Sequence, residues 1–428
     1  MKLNYIILQL CLVLATTACG DDAKPVGAVD ALGDTAGDTS TIADVASEVG
    51  SEDTSADVAR DVAADVTSSE VGEVVEPLEP LPGEPGPWNV GYRSETITYA
   101  PADGSPNRSL RLAYWYPTDA TTGEEVLYGG LLPADNVLGD APMASLESGA
   151  PVVVFSHGNS GFAEQSYFLT AFLASHGFVV VAPDHTGNTF ADRNPPPDIF
   201  HWRPLDISAV LDHVDVLASP HFLAEALGTG RAVAGHSFGG YTALALTGAS
   251  WDVDRVFGLC AVEDLPLGAC DVLEANETLY RGGFLDARFV ASIPMSPGAA
   301  VVFGAHGVAD VAIPTLLFTG TLDGTTPNAT DGDPIWGELA TRDQNIRVNF
   351  LTGAHFTFSN ACELPLDAFS EDGCGERFVD PDEAHTVLNA LSLAFLNRHI
   401  FGATEGSDLL NGTLLLSGDT EITLGVSE

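Results

Sequence analysis

The sequence predicts an α/β fold, a mostly parallel sheet with helices on both faces. Three observations carry this. Residues 151–155 and 178–182 are short apolar runs, the composition of parallel strands buried on both sides, and 315–319 is a further short strand. Residues 162–176, 205–217 and 238–248 space their apolar side chains at helical intervals, and the first of these stops at Gly177. Strands and helices alternate along the chain, as crossover connections between parallel strands require.

The elements follow in order. Residues 96–99 and 110–116 read as two early strands joined by a Gly/Pro/Asn turn region. The strand at 151–155 leads into the helix at 162–176, then the strand at 178–182 and the helix at 205–217. The strand at 232–234 precedes the helix at 238–248. Strands at 290–293, 315–319 and 348–351 follow, and a terminal helix spans 382–399. Residues 403–428 read either as an added edge strand or as a loose end.

The flanks of this 88–402 domain differ in composition. Met1-Lys2 and the apolar residues 3–15 are too short to span a membrane and end in Thr16-Thr17-Ala18-Cys19-Gly20. Small residues before a Cys resemble the cleavage box of a bacterial lipoprotein signal peptide, which would make Cys19 the lipidated first residue. Thr16 stands where that box usually carries Leu, so plain secretion is the alternative. The expected location is therefore outside the cytoplasm, as an outer or cell-surface membrane lipoprotein or else a secreted protein. Residues 20–87 cycle through Asp, Ala, Val, Thr, Ser, Gly and Glu and end in a Pro-rich stretch. They read as a disordered acidic linker. The whole chain of 428 residues carries a formal charge of −44, which argues against nucleic-acid binding. Apart from the signal region, four cysteines remain. In an exported chain an even number reads as disulfides, and the close pairs Cys260–Cys270 and Cys362–Cys374 are the simplest pairing of three. The first pair lies in an expected insertion at 251–287. The Cys spacings are wider than zinc-binding pairs use. No metal and no cofactor is expected; Asp331-Gly332-Asp333 is the stretch where calcium comes into question.

Chemistry concentrates in Gly235-His236-Ser237-Phe238-Gly239-Gly240. This G-x-S-x-G sequence follows a buried strand and opens a helix, the context in which a sharp turn raises a serine hydroxyl above a sheet edge. A serine nucleophile needs a base, and the base needs an orienting acid. Asp323 and His355 follow Ser237 in chain order, each just past a buried strand. Asp331 and Asp333 are rival acids. His236 reads as packed beside the nucleophile, His157 and His185 as loop supports, and His385 as structural. An oxyanion hole needs two backbone N–H groups; Phe238 and Asn159, in Ser156-His157-Gly158-Asn159-Ser160-Gly161, are the expected donors.

Taken in order, Trp115-Tyr116-Pro117, Phe155-Ser156-His157-Gly158, Ala182-Pro183-Asp184-His185-Thr186-Gly187-Asn188-Thr189, Arg203-Pro204-Leu205-Asp206 and the Ser237 motif resemble the bacterial relatives of platelet-activating-factor acetylhydrolase, also described as predicted dienelactone hydrolases. The resemblance covers about residues 90–400. It implies the α/β-hydrolase fold and a serine esterase, with lipid or acetyl esters as the favoured substrates. Dienelactone hydrolases proper use a Cys nucleophile, so Ser237 argues against that reaction. The stretch 173–180 also looks like cutinase-like polyester hydrolases. A hydrolase-shaped surface protein without turnover is the competing class. The partners expected are a small-molecule or lipid ester and, through Cys19, a membrane.

Overall fold

The computed structural model describes residues 82–130, 132–192, 195–262, 265, 268–364 and 369–426. The expected signal region with Cys19, and residues 20–81 of the expected linker, lie outside these. Ten strands build the main sheet: β1 (Asn89–Tyr99), β2 (Arg108–Thr118), β3 (Val137–Gly139), β4 (Ala150–Ser156), β5 (Val179–Pro183), β6 (Leu227–His236), β7 (Ala291–Met295), β8 (Leu316–Gly320), β9 (Ile346–Phe350) and β10 (Thr420–Leu424). Their spatial order is β10-β9-β8-β7-β6-β4-β5-β2-β1-β3. From β9 through β5 every neighbouring pair is parallel. β2 and β10 join antiparallel at the two sides. The α/β class read from the sequence is the one observed.

Among the described residues the seven longer helices are α1 (Tyr167–Ser175), α2 (Ile199–Asp215), α3 (Phe238–Leu246), α4 (Val253–Cys260), α5 (Ala269–Gly282), α6 (Gly332–Leu339) and α7 (Pro381–Leu396). Successive residues of the central strands bury on opposite faces. Val153 and Phe155 pack with Leu169 and Leu173 of α1 and Leu388 and Phe395 of α7. Val152 and Val154 pack with Ile207, Val210 and Leu211 of α2 and Leu246 of α3. Covering both faces is why β4, β5, β7 and β8 are buried throughout and read as unbroken apolar runs. The β9 strand, one from the edge, alternates instead.

Several boundaries differ from the sequence reading. α2 starts at Ile199 and carries Pro204 in its interior. A proline there leaves the carbonyl four residues back without its helical donor. That carbonyl, on Phe200, instead accepts the Tyr241 hydroxyl at 3.1 Å. α1 begins at Tyr167 rather than 162, because the preceding residues form the loop after β4. The end of the acidic linker is seated, not free: Gly86 N–H donates to Ser175 Oγ at 2.8 Å and His176 Nε2 to the Glu84 carbonyl at 3.0 Å. The tail supplies an edge strand, with Thr420–Leu424 antiparallel to β9. The 251–287 insertion is α4 and α5, bonded through Cys260–Cys270. It packs on α3 through Trp251, whose Nε1–H donates to Tyr241 Oη at 2.9 Å. Among the described residues no helix is long and apolar enough to cross a membrane.

Candidate active site

The strand order reverses at β4: β5 lies on one side of it and β6 on the other. Such a switch point opens a crevice at the strands' C-terminal ends. The loop after β4 and the turn after β6 meet there. Ser237 sits in that turn at φ 58°, ψ −118°, a conformation unfavourable for a residue with a Cβ. Glycine at two neighbours makes the turn feasible. A Cβ on Gly235 would lie 2.3 Å from the Gly239 carbonyl oxygen, and one on Gly239 would lie 1.8 Å from that of Ser156. Both obstacles are backbone and cannot step aside.

The fold brings Ser237, His355 and Asp323 together. Ser237 Oγ lies 2.9 Å from His355 Nε2, and His355 Nδ1 lies 3.1 Å from Asp323 Oδ2. All three are nearly or fully buried. His355 opens a 3₁₀ turn just past β9, and Asp323 lies in the loop after β8. Asp323 Oδ1 accepts the N–H groups of Thr325 at 2.9 Å and Thr326 at 2.6 Å. Oδ2 accepts the hydroxyls of Ser296 at 2.5 Å and Thr326 at 2.8 Å. Burial alone would raise the Asp323 pKa; His355 and these donors hold it well below the usual carboxylate range. Burial would lower the His355 pKa, but the carboxylates of Asp323, Asp372 and Asp331 more than offset this and raise it.

The rival acids are engaged elsewhere. Asp331 Oδ1 accepts the Ala300 N–H at 3.2 Å, and Asp333 pairs with Arg347 at 2.8 Å. His236 lies beside the site, its ring centroid 4.7 Å from that of His355. Its Nδ1 accepts from Gln165 Nε2 at 2.6 Å and its Nε2–H donates to the His355 carbonyl at 2.8 Å. Burial pushes its pKa down to about 3, so it stays neutral. His385 is half-buried and stacks on Phe168.

Phe238 is the first residue of α3, so its N–H has no partner within the helix. Opposite it runs the loop after β4, close enough that a Cβ on Gly158 would lie 3.3 Å from Ser237 Cβ. Gln165 Oε1 takes the Gly158 N–H at 2.9 Å. Asn159 is the exposed residue of this loop, and its Oδ1 accepts from Asn188 at 2.8 Å. Beneath the loop lies Arg203, completely buried. It donates to Asn188 Oδ1 at 2.6 Å, to the His157 carbonyl and to Ser156 Oγ at 3.2 Å, and it lies over the Phe238 ring. Burial pulls its pKa down to about 9. His157 and His185 are buried in this same network; His185 bridges Ser156 Oγ and Asp206 at 2.9 Å each. Sequence reasoning missed Gln165, Ser296, Thr326 and Asp372. Ser296 alone left a trace, standing directly after a buried strand as the site residues do.

One group of potential metal ligands occurs among the described residues: Glu95, His213 and His221, none of them a member of the Ser237, His355, Asp323 set. Both Nε2 atoms approach Glu95 Oε1, at 2.9 and 3.3 Å, and Tyr114 O–H donates to the same oxygen. Leu223 N–H donates to His221 Nδ1 at 3.2 Å, and the other ring nitrogen faces Glu95. The three side chains form a hydrogen-bonded cluster around Glu95 Oε1.

A family model described as the alpha/beta hydrolase family matches residues 153–387, more than half of the chain. Among solved structures, a ferulic acid esterase from Streptomyces cinnamoneus is similar at 20% identity with a TM-score of 0.51. The match covers 74% of this chain and 92% of that chain, a likeness of fold. No curated protein matches the chain.

Proposed function

The chain belongs to the alpha/beta hydrolase family, and from that premise we propose that it is a serine esterase cleaving carboxylic esters through an acyl-enzyme. One observation carries the reading: the continuous path Ser237 Oγ to His355 Nε2 and His355 Nδ1 to Asp323 Oδ2 at a strained turn. In this reading His355 takes the Ser237 proton as Oγ bonds to the ester carbonyl carbon. The carbonyl oxygen becomes an oxyanion, held by the N–H groups of Phe238 and Asn159. Collapse expels the alcohol, which leaves with the proton from His355. Water then repeats the sequence on the acyl-Ser237 ester, releasing the acid. Asp323 stays ionised, orients the ring and stabilises the imidazolium.

The resemblance to platelet-activating-factor acetylhydrolase relatives favours lipid or acetyl esters; the second reading is a cutinase-like polyester substrate. We also propose that Cys19 carries lipid and anchors the protein in a membrane outside the cytoplasm. A fluorophosphonate probe tests the enzyme reading. Stoichiometric labelling of Ser237 in folded protein, abolished by Ser237→Ala and His355→Ala, is expected. An unlabelled wild type would favour a hydrolase-shaped binding protein. A series of p-nitrophenyl esters of graded chain length separates short from long acyl groups.

A further inference from the structure

Beyond the three residues of the proposed triad, a fourth polar residue ties the acid loop to the base. Asp372 lies in the segment closed by the Cys362–Cys374 disulfide. Its Oδ1 accepts the Gly324 N–H at 2.9 Å and the His355 N–H at 3.3 Å. Its Oδ2 accepts the Thr325 hydroxyl at 2.6 Å, and its own carbonyl accepts the Phe356 N–H at 2.9 Å. One side chain thus grips the residue after Asp323, the next residue along, and the backbone of His355 itself. The neighbouring residue is equally committed: a Cβ on Gly373 would lie 2.9 Å from the N–H nitrogens of Phe356 and Thr357. Phe369, from the same segment, meets the Phe356 ring edge-on at 4.5 Å.

We infer that Asp372 is a positioning residue: held by the Cys362–Cys374 bridge, it sets the spacing of the Asp323 and His355 loops and adds a negative charge to those near the imidazole. The inference rests on the proposed role of His355 as the base. The charged and titratable groups facing His355 are Asp323 from the loop after β8, Asp331 before α6, Asp372 from the disulfide segment, and neutral His236 from the end of β6. Removing one of three carboxylates lowers the imidazole's proton affinity without touching its contact to Asp323.

Two variants separate charge from geometry. Asparagine can still accept both N–H groups with its amide oxygen, and Thr325 can turn its hydroxyl to accept from the amide. Asp372→Asn therefore removes charge and keeps the clamp, whereas Asp372→Ala removes both. The His355 ring is followed by the pH titration of its ¹³Cε1 resonance, assigned by its loss in His355→Asn; this reading needs no substrate. For Asp372→Asn the His355 midpoint is expected to fall by about half a unit to one unit, with the acidic limb of kcat/KM moving equally. The kcat plateau should stay within about threefold. Asp372→Ala should show the same shift and lose about tenfold or more in kcat at unchanged KM. Cys362→Ser/Cys374→Ser should lose kcat in the same direction. An unmoved His355 midpoint in Asp372→Asn, or full kcat in folded Asp372→Ala, would overturn the inference. Absence of ester turnover and of fluorophosphonate labelling in the wild type would instead overturn the esterase reading, while the titration would still report the coupling.

Discussion

Asp323→Asn is the sharpest test of the acid's role, because the surroundings dictate which way the new amide points. Oδ1 faces two backbone N–H groups, of Thr325 and Thr326, which can only donate. Oδ2 faces two hydroxyls, of Ser296 and Thr326, which can turn to accept. The asparagine oxygen therefore takes the Oδ1 place and its NH₂ the Oδ2 place, 3.1 Å from His355 Nδ1. Nδ1 must then accept a hydrogen bond, and the ring proton moves to Nε2, facing Ser237 Oγ. The lone pair that should take the serine proton is gone. A wrong-tautomer block costs about 10⁴ in kcat, or about 5.5 kcal/mol at about 1.4 kcal/mol per factor of ten. Folding should survive, since both N–H groups keep their acceptor. The assay is kcat/KM on p-nitrophenyl acetate beside a thermal melt followed by circular dichroism. Activity within about tenfold of wild type in the folded variant would rule out Asp323 as the residue that sets the imidazole tautomer. So would loss of activity in Asp331→Asn with Asp323→Asn active.

Three further outcomes are expected. Gly239→Ala places a methyl group 1.8 Å from a backbone oxygen, so urea titration should show a loss of about 3 kcal/mol or more. Gly258→Ala, in α4 with nothing within 4 Å, should be neutral or stabilising by up to about 1 kcal/mol; similar results for both would contradict the steric account of the elbow. Acid should destabilise the domain below about pH 6.5, the unfolded histidine value. The pKa values of His157, His185, His236 and His385 are all lowered by burial, to about 3 for His236 and about 4 for His385, so the unfolded chain binds more protons in this range. Each such group contributes stability that is lost at about 1.4 kcal/mol per pH unit as pH falls toward its folded value, and stability flat between pH 6.5 and 4 would contradict this. Cys19→Ser should move the protein from the membrane fraction to the soluble one at unchanged specific activity on a soluble ester, and identical soluble fractionation of both proteins would leave plain secretion.

What depends on neighbours along the chain was legible in the amino-acid order alone. Buried strands are legible because parallel strands covered on both faces must be apolar at every position. The Gly235-to-Gly239 turn is legible because its close approaches admit only glycine at fixed offsets from Ser237. Asp323 and His355 could be nominated because a parallel sheet gathers the ends of its strands at one edge, and the local cysteine pairs because chain proximity favours them. The remainder came from contacts between distant segments. They set the nominated Asp323 against His355 and drew its rivals Asp331 and Asp333 to the Ala300 N–H and to Arg347, partners that lie far from them along the chain. They let α2 run through Pro204, because the hydroxyl of Tyr241, distant in sequence, satisfies the Phe200 carbonyl. They turned the tail into an edge strand by giving it the open side of β9. They also placed Gln165, Arg203 and Asp372 around the site. Polar side chains joined across tens of residues follow no periodicity, since hydrogen-bond partners are selected by position in space and not by spacing along the chain.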